Sequence, residues 1–289
     1  RRALVTGANS GIGLAAATEL ARRGWEVVPA CRTPEKAAGA ARDIEEQVPG
    51  AAVRCLEARC ELADLRSVGG FGRAVRELGG PVDALVLNAG VDGAPLQRTA
   101  QGQEWHFGVN HLGHFALYRA VRGLLPQEDS RVISVTSSAA LDAELVLDDL
   151  AWERREYGRH AAYSTSKACN VLFVDELARR EGVRAYAVDP GPTASAIVRY
   201  SYPQRAAQRR QMTPEALARQ ARMLRLKTPA QAAEGLVWLA EAPEAMGLSG
   251  QWFAGPGALF PPLDTPWRTE ANAKQLWERC EGLVAAAAV

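Results

Sequence analysis

Tyr163 and Lys167 stand four residues apart in HAAYSTSKACN, residues 160–170, which places a phenol and an ammonium about one turn apart on one face of a helix. Such a pair can do acid–base chemistry. A free phenol titrates near pH ~10, too high to exchange protons readily at neutral pH, and a neighbouring ammonium favours the phenolate and lowers that value. Taken alone, the stretch equally describes a half-exposed aromatic beside a solvated lysine, so other residues must decide.

TGANSGIG, residues 6–13, supplies the second piece of chemistry. Gly7 permits a tight turn, Gly11 lets the backbone approach a phosphate, and Gly13 allows close helix–strand packing. The N–H groups at the helix start then face a pyrophosphate. The spacing is GxxxGxG, with a strand before it, a helix after it and a second strand over 25–30, the context that dinucleotide binding requires. At the end of that second strand PACRTPEK puts Arg32 where a carboxylate would hold the ribose 2′-hydroxyl of NAD. The planar fork of arginine suits a 2′-phosphate, which favours NADP(H) over NAD(H).

Positioning these groups requires a scaffold, and the chain alternates short aliphatic runs with longer helical patterns. Strands are predicted over 3–6, 25–30, 51–58, 83–88, 131–136 and 183–189, and helices at about 12–23, 34–47, 64–78, 100–125, 160–181 and 229–241. Continuous apolar strands each followed by a helix imply a parallel sheet covered on both faces. That is an α/β, doubly wound Rossmann-type architecture. TPEK at 33–36 and TPAQ at 228–231 each place a threonine N-cap before a proline at the first helical position, and Gln231 completes a capping box. No internal repeat and no linker marks a boundary, so 1–289 reads as a single domain, its first half (1–150) mainly binding dinucleotide.

Composition agrees. The 289 residues are 47% hydrophobic and 23% charged, enough for one large core. The net charge of +1 offers no global field for nucleic acid or an anionic membrane. No apolar run approaches the roughly 18 residues of a membrane-spanning helix. Five cysteines with no CxxC pair make metal or disulfide roles weak and a reducing compartment the expectation. RRALVTG begins almost inside the first strand, so a targeting or anchoring segment could precede it.

Together the motifs resemble those of the short-chain dehydrogenase/reductase family in its single-domain form, over nearly the whole chain: TGANSGIG, NAG (88–90), NHLGHF (110–115), VTSSAA (135–140), YSTSK (163–167) and DPGPTAS (189–195). ACR at 30–32, NHLGHF and LWERCEGLV at 276–284 look most like the branch holding retinol dehydrogenases, WW-domain oxidoreductase and light-dependent protochlorophyllide reductase. That last enzyme has a cysteine directly after the proline–glycine pair, where this chain has Pro192, which argues against light-driven reduction.

The resemblance implies a catalytic tetrad of Asn110, Ser137, Tyr163 and Lys167. Tyr163 would be general acid/base, Lys167 would also bond the nicotinamide ribose, Ser137 would polarise the substrate oxygen, and Asn110 would help keep a water for proton relay. It further implies that Asn9, Ser10 and Ile12 line the glycine turn and that Asn88, Ala89 and Gly90 line the adenine ribose. Glu61, beside Leu62, would face the adenine, where aspartate is usual. Pro190, Gly191, Thr193 and Ser195 would wrap the nicotinamide and a phosphate. His106, His111 and His114 share one segment, and the last two match positions that usually pack.

The stretch 147–160 would fill a loop beside the substrate, and 196–227 would be a mobile lid. From Arg199 to Lys227 the lid carries eight Lys/Arg and one acid, Glu215; Thr213 and Pro214 read as a helix start with Leu217, Ala221 and Leu224 as an apolar stripe. The basic face is either a solvated helix or, through Arg209 and Arg210, a surface for an acidic substrate or partner. The helices at 100–125 and 160–181 would form a homodimer or tetramer interface by analogy. The function implied is NADP(H)-dependent interconversion of a carbonyl and an alcohol on a fairly hydrophobic small molecule. The alternative is a nucleotide-binding member serving a structural or assembly role.

Overall fold

The computed structural model describes residues 1–126, 129–195, 197, 200, 203–262 and 265–287. Arg199 lies outside the described residues, as do the side chains of Arg205 and Arg210.

Seven strands form one sheet: β1 Arg2–Thr6, β2 Glu26–Ala30, β3 Ala84–Leu87, β4 Arg131–Val135, β5 Arg184–Val188, β6 Trp252–Gly255 and β7 Ala258–Leu259. Their spatial order is β2-β1-β3-β4-β5-β6-β7, parallel throughout except for the antiparallel β7. Strand residues are apolar at consecutive positions because both faces are buried. Leu4 turns to one core with Leu85 and Val132, while Ala3 and Val5 turn to the other with Val86 and Ile133. Helices α1 (Gly11–Arg22) and α2 (Pro34–Gln47) cover the second face, and α3 (Leu65–Leu78) the first. Further along the chain come α4 (Gly113–Val121), α5 (Arg159–Glu181), α6 (Pro203–Gln211), α7 (Pro214–Met223), α8 (Pro229–Glu241) and α9 (Glu270–Ala287). The architecture is the doubly wound Rossmann type.

The helix starts are built as their sequences dictate. Thr33 accepts from the Lys36 N–H, and Thr228 and Gln231 form a reciprocal capping box at α8.

Three expectations are revised. The segment 51–58 is not a strand; it touches the sheet through a single parallel bridge, Val27 to Val53, flanked by bonds from Val27 N to Ala52 O and from Arg54 N to Val27 O. Ala51, Val53, Leu56 and Ala58 pack only partly buried against the two cores, so little apolar area rewards extending the ladder. The helix expected over 100–125 is interrupted: a π-helix, Phe107–Leu112, precedes α4, and a 3₁₀ turn, Arg122–Leu124, follows it. Third, β6, β7 and α9 were not anticipated.

The added helix bears on assembly. Trp277 of α9 stacks on Phe173 of α5 (centroids 6.0 Å apart, 10° between planes) and meets Phe115 of α4 edge-on at 5.0 Å. Cys280 reaches His111 at 3.4 Å. The face of α4 and α5 that analogy assigned to a second subunit is thus occupied along these residues by the chain's own α9.

Candidate active site

A cleft of about 710 Å³ opens at the carboxyl ends of the strands, where the order reverses between β1 and β3. This is where doubly wound sheets bind ligands. The glycine turn forms its floor. Gly7 adopts φ +67°, a conformation that side chains resist. At Gly13 an added Cβ would lie 2.5 Å from Gly7 O and from Asn88 Nδ2, so only glycine lets α1 start this close to the strand ends. Ser10 precedes α1 in an extended conformation and makes no side-chain cap bond, and the first turn carries no acid, so the helix start keeps its N–H groups and its dipole for an anion. Asn9, Ser10, Gly11 and Ile12 line the cleft there. Ser195 faces them, its Cβ 3.7 Å from where a Gly11 Cβ would be.

The next wall comes from β3. Thr6 Oγ1 accepts from the N–H groups of Asn88 (2.8 Å) and Ala89 (2.9 Å), and Asn88 Nδ2 donates to Thr6 O at 2.9 Å. The Thr6 hydroxyl in turn meets His114 Nε2 at 2.9 Å, while His114 Nδ1 lies 3.0 Å from Asn110 O. A carbonyl can only accept, so the ring proton sits on Nδ1 and Nε2 receives the threonine hydroxyl. Burial depresses the His114 pKa to about 3 and that of His111 to about 4, which keeps both rings uncharged. His114 therefore does more than pack: it ties the NAG loop to Asn110. His111 bonds Asn170 Oδ1 at 3.1 Å.

Asn110 sits in the π-helix and is 0% exposed. Its Nδ2 donates to Val91 O (3.0 Å) and Ser166 Oγ (2.9 Å), and its Oδ1 accepts from Val91 N (2.8 Å). Both amide donors are committed to protein, so the side chain clamps the loop after Gly90 to α5. It lies behind the cleft wall, as Gly13 does; the other candidate residues line the cleft.

At the reacting end Ser137, N-cap of a 3₁₀ turn over Ser138–Asp142, lines the cleft with Tyr163, and its hydroxyl favours the phenolate. Lys167 is 2% exposed, its Nζ donates to Val135 O at 3.1 Å, and it stands 5.6 Å from the centre of the Tyr163 ring. Burial pulls the Lys167 pKa down to about 8, opposed by the carboxylates of Asp189 and Asp92. The Tyr163 pKa was expected to be lowered, but its net shift is upward. Burial dominates and raises it, Asp92 and Asp189 add to the rise, and the Ser137 hydroxyl acts the other way. The phenol is held protonated.

Asp189 was not singled out from sequence. It is 7% exposed, accepting from Ser138 N (2.7 Å) and Gly191 N (2.8 Å), which joins the serine turn to the loop holding Pro190, Gly191 and Thr193. Thr193 bridges to Lys227, and the Thr193 hydroxyl bonds Gly191 O at 2.8 Å. At the outer end Arg32 and Glu61 form an ion pair of 2.9 Å, with Leu62 beside them on the cleft wall. Lys36, exposed and one turn into α2, shares that rim. Its i+4 spacing from Arg32, with Thr33 capping the turn between, was the signal that could have found it.

In the segment expected to be a lid, Thr213 caps α7 as anticipated, but the apolar stripe is incomplete. Ala221 is buried, whereas Leu224 is 51% exposed and Met223 72%, because α7 ends there and Arg225 turns the chain at φ +53°. Arg209 lines the cleft, donating to Ser195 O (3.0 Å) and Gln220 Oε1 (3.1 Å).

The profile of the short chain dehydrogenase family matches residues 1–206. The chain belongs to the short-chain dehydrogenase/reductase family. It is 36% identical over 285 residues to retinol dehydrogenase 13 of Homo sapiens, covering 97% of this chain and 83% of that protein. Among solved structures, an uncharacterised protein of Mycobacterium paratuberculosis matches with TM-score 0.72 and 30% identity, covering 99% of this chain and 93% of that one. Actinorhodin polyketide ketoreductase with NADPH matches with TM-score 0.65 and 26% identity, covering 89% and 96%. This short-chain dehydrogenase/reductase is an oxidoreductase of the retinol dehydrogenase-like branch. No helix among its described residues is long and apolar enough to cross a membrane, and its five cysteines are free thiols.

Proposed function

We propose that this enzyme uses NADP(H) to interconvert a carbonyl and an alcohol on a fairly hydrophobic small molecule, with Tyr163 as general acid/base. The observation that carries the reading is that one cleft is lined by Ser137, Tyr163 and Lys167, with Lys167 Nζ 5.6 Å from the Tyr163 ring, and by a glycine turn shaped for pyrophosphate. The nicotinamide would supply or accept the hydride; the protein supplies position and field.

The side chains suit reduction. Ser137 offers a hydroxyl to the substrate oxygen beside the Tyr163 phenol. As that oxygen gains charge it becomes a far stronger base than a phenolate, so the proton passes from the Tyr163 hydroxyl to it. Lys167, two per cent exposed and close behind the ring, stabilises the phenolate left behind. Arg32 and Lys36 favour the 2′-phosphate at the rim, and free thiols support a reducing compartment.

The test is a panel of aldehydes and ketones with NADPH and NADH, with Tyr163→Phe beside the wild type. Turnover with NADPH preferred, and turnover lost at least 100-fold in Tyr163→Phe with NADPH affinity retained, is expected. A variant that keeps most of its rate refutes the role of Tyr163.

A further inference from the structure

A cluster of buried polar groups that the chemistry above does not use lies behind Tyr163. Glu104 and His106 are both 0% exposed. Glu104 Oε1 lies 2.8 Å from His106 Nδ1 and accepts from the Tyr157 hydroxyl at 3.0 Å, while Oε2 accepts from Phe107 N at 2.8 Å. His106 Nε2 accepts from the backbone N–H of Ala94 at 3.2 Å, which leaves its ring proton on Nδ1, directed at the carboxylate. The His106 ring meets the Tyr163 ring edge-to-face, with centroids 6.2 Å apart and 71° between planes.

These contacts join three segments, two of which also meet through an antiparallel backbone bridge from Arg98 to Glu104. Ala94 belongs to the loop after β3. Glu104, His106 and Phe107 open the π-helical stretch that carries Asn110. Tyr157 immediately precedes Gly158, the N-cap of α5, which carries Tyr163 and Lys167. The stretch before Tyr157 is itself tightly built. Asp149 accepts from Glu153 N at 2.8 Å, Trp152 is held at φ +54°, and Arg155 stacks on Trp152 at 3.6 Å. A bulky residue in the left-handed region persists only where its surroundings over-determine it. A buried carboxylate is likewise retained only when its oxygens are satisfied.

We propose that Glu104, acting through His106 and Tyr157, is the positioning residue that sets where Tyr163 stands in the cleft. The inference rests on Tyr163 being the general acid. Glu104 touches neither substrate nor cofactor. It fixes the wall against which the Tyr163 ring rests and the loop from which α5 starts, and reacting groups displaced by a fraction of an ångström lose rate rather than binding.

The experiment compares Glu104→Gln, Tyr157→Phe and the double variant, using NADPH and whichever carbonyl compound of the panel is turned over fastest. Each single variant is expected to lose about tenfold in kcat, with NADPH Kd and substrate KM within about twofold. The isotope effect with deuterated NADPH should rise as hydride transfer becomes limiting. The Tyr157 hydroxyl also reaches Ala94 O at 3.1 Å, so the two changes overlap in one hydrogen-bonded unit and the double variant should lose less than the product of the two single losses. Tyr157→Phe removes one hydroxyl and keeps the ring, so it stays informative if Glu104→Gln fails to fold. Unchanged kcat in Tyr157→Phe, or losses that multiply in the double variant, overturns the proposal. An inactive Tyr163→Phe beside a fully active Glu104→Gln overturns positioning alone, whereas an active Tyr163→Phe overturns both this and the acid role.

Discussion

Arg32 and Glu61 hold each other across the outer end of the cleft, Nε to Oε2 at 2.9 Å, so the cation suited to a 2′-phosphate is shared with a carboxylate. Sequence presents them as two separate contacts; the fold makes them one unit. An ion pair this exposed contributes only about 0–1 kcal/mol to stability, so its consequence is electrostatic. Glu61 restrains Arg32, and Lys36 on the same rim adds a second positive charge.

Nucleotide choice should therefore respond to all three. Arg32→Ala is expected to weaken NADPH by roughly 10–100-fold, the value of one or two charge-assisted bonds, and NADH by under about threefold. Lys36→Ala should do the same more weakly, and Glu61→Gln should tighten NADPH several-fold at low salt. Fluorescence titrations with both nucleotides decide. Equal losses for NADPH and NADH in Arg32→Ala would show that the rim does not read the phosphate.

Lys167 predicts a pH dependence. Its pKa of about 8 is depressed from the ordinary 10.5 by burial. Ribose hydroxyls and nucleotide phosphates favour the charged form, so binding raises that pKa and takes up a proton. NADPH affinity should fall as pH rises through about 8, with proton uptake greatest there. For folding the sign is opposite: the unfolded chain binds this proton more tightly, so this group's destabilisation is relieved as pH rises from 8 to 10.5. Titrations over pH 6–10 in buffers of different ionisation enthalpy measure the uptake. Pairing with Lys167→Met should abolish both effects.

Asp189→Asn should damage the site from behind. Asp189 accepts from Ser138 N and Gly191 N, and asparagine presents an N–H₂ to one of them, leaving a nearly buried donor unmet at about 1–3 kcal/mol. The change also removes a negative charge that favours the protonated forms of Lys167 and Tyr163. Urea unfolding should show the stability loss, and the alkaline limb of NADPH binding should move to lower pH. A limb that stays in place removes Asp189 from the electrostatics of the pair.

Much of this was legible locally. The strand–turn–helix at TGANSGIG and the caps at Thr33 and Thr228 are short-range signals, and the structure contains each. Legibility failed where a long-range choice decided. The run AAVRCLEA reads as a strand, but at the sheet edge its apolar residues are only partly buried and a single bridge forms. Helical periodicity over 100–125 does not encode the change of hydrogen-bonding that swings Asn110 under the NAG loop. Nor does the i+4 spacing of Tyr163 and Lys167 report burial, which reverses the direction of the tyrosine shift.

Trp277 carries the last prediction. It is 2% exposed, stacked on Phe173 and edge-on to Phe115, and the guanidinium of Arg180 lies 5.6 Å from its ring. Truncation to alanine vacates the space between α9, α4 and α5, and large-to-small changes of this kind cost about 3–5 kcal/mol. Denaturant unfolding should show that loss. NADPH affinity, measured well below the transition, should be unchanged, because the cleft lies at the strand ends and Trp277 does not line it. The vacated apolar face of α4 and α5 is where a second subunit would be expected by analogy, so the variant should also associate more than the wild type in sedimentation. Wild-type stability in Trp277→Ala would mean that α9 does not cover this face in solution.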